Sequence, residues 1–142
     1  MHWWSGEHWD YQLRCGQPDD ASGKGGWGYK HIREDHEQNW QDKFNEGLAL
    51  GWVPESQGFE SWDDLMATSG GNAGLWPDHM RAVDPKGGTT CLIAIGVFYD
   101  AFSGAELGTF NYRTIFSNTT ERLITSFPQS GTTCPSNYTQ LW

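Results

Sequence analysis

The chain has 142 residues, with 9 Lys and Arg against 18 Asp and Glu, and a formal charge of −9 when the histidines are neutral. That length supports one domain around one core, and a 37% hydrophobic content that includes nine Trp supplies enough large apolar surface to fold without a partner. The acidic balance argues against sequence-tolerant duplex binding by general phosphate neutralisation; it does not exclude a nuclease, whose cleft needs only two or three local cations.

The longest mainly apolar stretch, residues 91–99 (CLIAIGVFY), is about half of the roughly 20 residues that a helical span requires, so no membrane span is expected. The opening, MHWWSGEHWDYQLRC, has neither a basic nor an apolar signal region, so an export signal is expected to be absent or removed. Cys15, Cys91 and Cys134 are widely spaced, with no CxxC pair and no Cys/His ladder, which gives no zinc knuckle. They allow one disulfide of undetermined pairing with a spare thiol, or three reduced thiols.

No repeat of 20 to 50 residues is present. Composition shifts at about residue 88, from Trp, Gly, Asp and His with short helical patterns to β-branched and aromatic runs. Helices first and sheet second is the α+β order, with N-terminal helices packed on a C-terminal antiparallel β-meander in a single domain. The expected layout is an aromatic arm and loop over 1–25, a helical part over 26–88, the meander over 89–128 and a tail over 129–142.

Residues 2–14, with Trp3, Trp4, Trp9 and Tyr11, read either as a helix or as an extended arm. Residues 17–28 (QPDDASGKGGWG) read as a loop. A helix is predicted over 29–44 with Ile32, His36, Trp40 and Phe44 as its docking stripe. Gly47 and Gly51 loosen its end and Pro54 forbids continuation. A second helix opens at the capping Ser61, carries Asp63 and Asp64 in its first turn, and stops near Ser69 at GGNAG. A loop is predicted over 70–88, then strands over 90–99, 106–116 and 121–127, the last ended by Pro128.

The most informative text is GWGYKHIREDH, residues 26–36. It places Lys30 and His31 in the first turn of a helix, beside its positive end, an arrangement that favours anion capture. His31 suits proton transfer near neutrality and Lys30 suits stabilisation of an oxyanion; the plain alternative is an ordinary helix-start histidine and a solvated lysine. His36 lies about 140° further round the helix and reads as structural. On the strands, Tyr112 and Thr114 share a face opposite to Arg113, and Thr125 faces opposite to Ser126, so only one of each set enters a given cleft. Arg113 reads as a phosphate clamp or as a plain surface arginine.

A helix bearing (K/R)HI, a Trp- and Gly-rich middle, and a meander ending in ITSFP (residues 124–128) together resemble the toxin ribonucleases grouped as the barnase, EndoU, colicin D and RelE class, which occur as C-terminal warheads of bacterial polymorphic toxins. The resemblance covers about residues 26–128 and is one of layout plus two short motifs. It implies an endoribonuclease that needs neither metal nor cofactor and acts by 2′-hydroxyl attack to leave a cyclic phosphate. On this reading His31 transfers the proton, Lys30 or Arg113 stabilises the phosphate, and Thr125 or Ser126 with Tyr112 positions it. Trp27, Tyr29 and Trp76 are candidate stacking platforms for RNA bases, with core or loop-anchoring roles as the alternative, and His79 is the candidate second histidine. The implied partners are RNA, such as a tRNA loop, and a cognate immunity protein that inserts acidic side chains; the implied setting is secretion or delivery into a target-cell cytoplasm.

Three other readings compete. Nine Trp, an acidic balance and the sequons at Asn118 and Asn137 suit an extracellular carbohydrate-binding or adhesion module. The charge of −9 suits an interaction or inhibitor protein with a basic partner. A zinc hydrolase through His31, His36 and His79 lacks HExxH or an equivalent spacing.

Overall fold

The computed structural model describes residues 2–5 and 10–141, with side chains from residue 11 onward. The chain opens with a two-stranded antiparallel hairpin, β1 (His2–Ser5) and β2 (Asp10–Leu13), so the extended alternative for the N-terminal segment holds there; Trp9 lies outside the described residues. This arm is part of the core: Tyr11 and Leu13 are buried, and the Tyr11 ring stacks on Phe116 at 4.7 Å. Helix α1 (Gly28–Ala49) follows the loop, then a 3₁₀ turn at Pro54–Gln57 and helix α2 (Trp62–Leu75). Ser61 and Asp64 close a reciprocal capping box, each side chain bonded to the other's backbone N–H, which fixes where α2 begins.

The remaining strands are β3 (Met80–Asp84), β4 (Thr89–Tyr99), β5 (Glu106–Ser117), β6 (Leu123–Gln129) and β7 (Thr139–Gln140). They form one antiparallel sheet in the order β6-β5-β4-β3-β7, in which β3 to β6 are a meander and β7 returns to pair with β3. The molecule is α+β, with its helices N-terminal to this sheet and packed on it.

One sheet face meets the helices. Leu92, Ala94, Phe98, Phe110, Tyr112 and Phe116 pack there against Ile32, Trp40, Phe44, Leu65 and Met66. Trp40 is fully enclosed and its indole N–H donates to the Ser126 carbonyl at 2.8 Å; loss of such a ring costs about 3–5 kcal/mol. The opposite face carries a smaller cluster of Ala82, Cys91, Ile93 and Cys134. The segment after β6 crosses this face. A disulfide joins Cys91 on the central strand to Cys134, Thr89 and Tyr138 share a hydroxyl hydrogen bond of 2.7 Å, and Asn137 donates to Asp84 at 3.1 Å. Cys15 is the spare, exposed thiol.

Four boundaries differ from expectation. Helix α1 continues five residues past Phe44, and α2 runs through GGNAG to Leu75. The expected loop contains β3. Strand β6 runs through Pro128, because β6 is an edge strand whose outer side needs no N–H donor. Among the described residues no helix is long and apolar enough to cross a membrane.

Candidate functional site

The first half of α1 lies along the β6 edge of the sheet, and its side chains meet those of that edge. His31 is 13% exposed at its side chain, with Nδ1 3.5 Å from Asp19 Oδ1 and 3.3 Å from Asp35 Oδ2. Neither approach has hydrogen-bond geometry, so Nδ1 is a buried nitrogen in ion-pair range of two carboxylates, with no hydrogen-bond partner among the described residues. Asp19 is held in place by the Gly26 N–H, which donates to Oδ1 at 2.7 Å. A β-carbon at Gly26 would come within 2.4 Å of that oxygen and 2.6 Å of His31 Nδ1, so the absence of a side chain there permits the approach.

The two helix histidines do come together. Their ring centroids lie 5.8 Å apart, edge to face. His36 in turn stacks on Phe127 of β6 at 4.4 Å, and the Arg113 guanidinium sits over the same phenyl ring at 5.3 Å. Burial pushes the His36 imidazole below its ordinary value, and the neighbouring His31 adds to this against the Asn39 hydrogen bond. Arg113 donates from Nη2 to the Thr133 carbonyl at 3.1 Å, while its buried Nε has no hydrogen-bond partner.

The strand pairing resolves the alternatives on the sheet. Arg113 pairs with Phe127, and Thr125 pairs with Ile115, which places Arg113, Thr125 and Phe127 on one side. Thr125 is buried there and its Oγ1 has no hydrogen-bond partner. Tyr112 and Ser126 belong to the other side, inside the core: the Tyr112 hydroxyl donates to the Ser69 carbonyl at 2.7 Å, and Ser126 Oγ bonds Thr114 Oγ1 at 3.1 Å, both residues being almost fully enclosed. Those two hydroxyls are therefore not brought to Arg113.

The remaining candidates are dispersed. At the start of α1 the N–H groups of Tyr29 and Lys30 donate to the carbonyls of Arg14 and Cys15 at 2.8 Å each, so any anion at this helix end would be held by side chains and not by these two N–H groups. The Lys30 side chain is exposed and borders a shallow depression with Pro18, Arg33, Glu34 and Glu37. Trp27 is covered by the Arg122 guanidinium at 3.9 Å, and Tyr29 stacks on Trp62 at 5.9 Å with its hydroxyl directed at Asp63. His79 is exposed, 3.0 Å from Asn111 Oδ1.

Trp76, 75% exposed, borders a different cavity. This cleft of about 410 Å3 lies between α2, the 3₁₀ turn and the β4–β5 pair, and is lined by Trp52, Phe59, Phe98 and Tyr99 together with Gln57, Asn72 and Asp78. Its size falls within the range of small-ligand pockets.

Sequence reasoning read His36 as structural and did not single out Asp19, Asp35 or Phe127. The i, i+4 relation of His31 to Asp35 was a usable signal, whereas the meeting of His36 with Phe127 depends on how α1 lies on β6. The chain matches no protein-family profile, no curated protein and no solved structure.

Proposed function

We propose that the chain is a metal-independent endoribonuclease acting at the α1–β6 edge. The observation that carries this reading is the pair of imidazoles 5.8 Å apart, joined through Phe127 to the Arg113 guanidinium. RNA cleavage by its own 2′-hydroxyl needs one group to take the 2′ proton, one to protonate the leaving 5′ oxygen, and a cation for the phosphorane charge. His36, kept neutral by burial, suits the base role. His31 is assigned the acid role by position, its ring edge to face with His36 and its Nδ1 beside Asp19 and Asp35. Arg113 supplies the cation, held by Thr133, and Thr125 offers a free hydroxyl on the same sheet side. Incubation with total tRNA and rRNA in EDTA tests the reading. It predicts new ends carrying cyclic phosphates, their loss in His31→Ala, and at least tenfold slower cleavage, about 1.4 kcal/mol, in Arg113→Ala. Full activity of both variants, or intact RNA with the wild type, refutes it.

The aromatic cleft favours a second reading, a carbohydrate-binding module. Exposed Trp76 and Tyr99 beside Asn72, Gln57 and Asp78 combine stacking faces with hydrogen-bonding groups, as a sugar ring requires. Binding on a glycan array that is lost in Trp76→Ala, together with intact RNA, selects this reading over the first.

A further inference from the structure

We infer that His31, Asp35 and His36, completed by Asp19, form a binding site for one divalent cation of the zinc class, and that loading it silences the nuclease proposed above. One donor atom from each of His31, Asp35 and His36 lies within 4.8 Å of the others. The shorter separations fit closer still. Four ligands bonded to Zn2+ at 2.0–2.1 Å in a tetrahedron stand about 3.3–3.5 Å apart, and His31 Nδ1 is 3.3 Å from Asp35 Oδ2 and 3.5 Å from Asp19 Oδ1.

A second, independent observation points the same way. A buried imidazole nitrogen ordinarily donates or accepts a hydrogen bond, yet His31 Nδ1 does neither, although two carboxylate oxygens stand beside it. His31 Nδ1 is near enough to each carboxylate oxygen to share a cation with it, and wrongly angled to share a proton. The donor set selects the ion: two imidazoles with two carboxylates suit zinc, copper or nickel, whereas magnesium and calcium favour all-oxygen shells. Two carboxylates also cancel the ion's two charges, which offsets the unfavourable placement of a cation near a helix N-terminus. The Gly26 N–H orients Asp19 as an outer-shell donor.

The silencing follows from imidazole chemistry and rests on the nuclease reading; the binding does not. A metal on one ring nitrogen leaves the neutral ring with its proton on the other, so the ring no longer accepts a proton, and the bound cation opposes the second positive charge that acid catalysis requires.

The test is calorimetric titration of the EDTA-stripped full chain with ZnCl2 near neutral pH. We expect one ion per chain, at least tenfold weaker binding in Asp35→Asn and in His36→Gln, and wild-type binding in Cys15→Ser and His79→Ala. Asp35 is exposed, so the asparagine variant is expected to keep the wild-type melting curve without metal. Absence of zinc binding by the wild type, or unchanged binding in both ligand variants, overturns the site. RNA cleavage is followed in parallel. Loss of cleavage at one equivalent of zinc, restored by EDTA, supports the silencing; an active enzyme that binds zinc and ignores it overturns the silencing. Zinc binding by a chain that never cuts RNA supports the metal site while removing the nuclease reading.

Discussion

Gly26→Ala tests the geometry of the candidate site without removing any of its functional groups. The added methyl would stand 2.6 Å from His31 Nδ1, 2.4 Å from Asp19 Oδ1 and 2.7 Å from the Asp19 backbone nitrogen. Unstrained contacts begin near 3.5 Å, so the ring and the carboxylate must retreat by about 1 Å. A displacement of about 1 Å at a reacting group costs on the order of 100-fold in rate, or about 2.7 kcal/mol of transition-state stabilisation. Overpacking of this kind costs about 1–3 kcal/mol of stability. For a chain of 142 residues that corresponds to a melting temperature lower by about 3 to 10 °C. On the nuclease proposal, the expected result is therefore a folded protein whose kcat/KM for RNA, measured in EDTA at a temperature well below the transition, is about two orders of magnitude down. A variant that melts in this range and cleaves RNA within threefold of the wild type refutes the reasoning: Asp19 and His31 would then meet for packing alone.

Reduction of Cys91–Cys134 opens a loop with a sequence separation of 43 residues, and on the chain-entropy account lowers stability by about 4 kcal/mol, seen as a melting point about 13 °C lower in dithiothreitol; a shift under about 3 °C contradicts this. The His36 imidazole, pushed below its ordinary value near 6.5 by burial, contributes stability that is present above about pH 6.5 and lost as pH falls through its folded pKa. Urea midpoints taken between pH 7.5 and 5 are expected to fall, with a shallower fall in His36→Gln, and an equal fall in both proteins would locate the proton uptake elsewhere. Tyr112→Phe leaves the buried Ser69 carbonyl without its donor and is expected to cost about 1–2 kcal/mol in denaturant while RNA cleavage is unchanged; a tenfold loss of activity at unchanged stability would bring the phenol into the chemistry.

The class of fold was legible because the Ile32, Trp40, Phe44 stripe matches the helical period, while the continuous apolar run of β4 suits a central strand covered on both faces, and Thr90 to Ala94 are buried without alternation. The helix ends were not legible, because a glycine reads the same whether it stops a helix or admits a neighbour. Gly47 admits one: a β-carbon there would strike the Phe98 ring at 2.6 Å, so α1 presses on β4 and continues. Ser69 and Gly70 likewise offer their carbonyls to the hydroxyls of Tyr112 and Tyr11, and α2 continues through the glycines that looked like its end. Strand β3 is a short segment of mixed burial whose Met80-Arg81 start carries no alternation, and it is fixed by β4 on one side and β7 on the other.

At the candidate site, the face carrying Arg113 was separable in sequence from the face carrying Tyr112, but the choice between Thr125 and Ser126 required the register of β6 on β5. The part played by His36 was hidden for a similar reason. Helical spacing sets its angle from His31 and says nothing of Phe127, which arrives from a strand 91 residues later in the chain. Asp19 was equally invisible, since its approach to His31 depends on the fold of the loop before α1 and on the bare backbone at Gly26.

The crosslink at Cys134 has a consequence beyond fastening the final segment. Its neighbour in sequence, Thr133, supplies the carbonyl that steers the guanidinium of Arg113. A thiol-rich compartment that opens this bond releases the very stretch that aims the arginine, while an oxidising one locks the aim. A reducing and an oxidising environment thereby correspond to two settings of one cationic side chain.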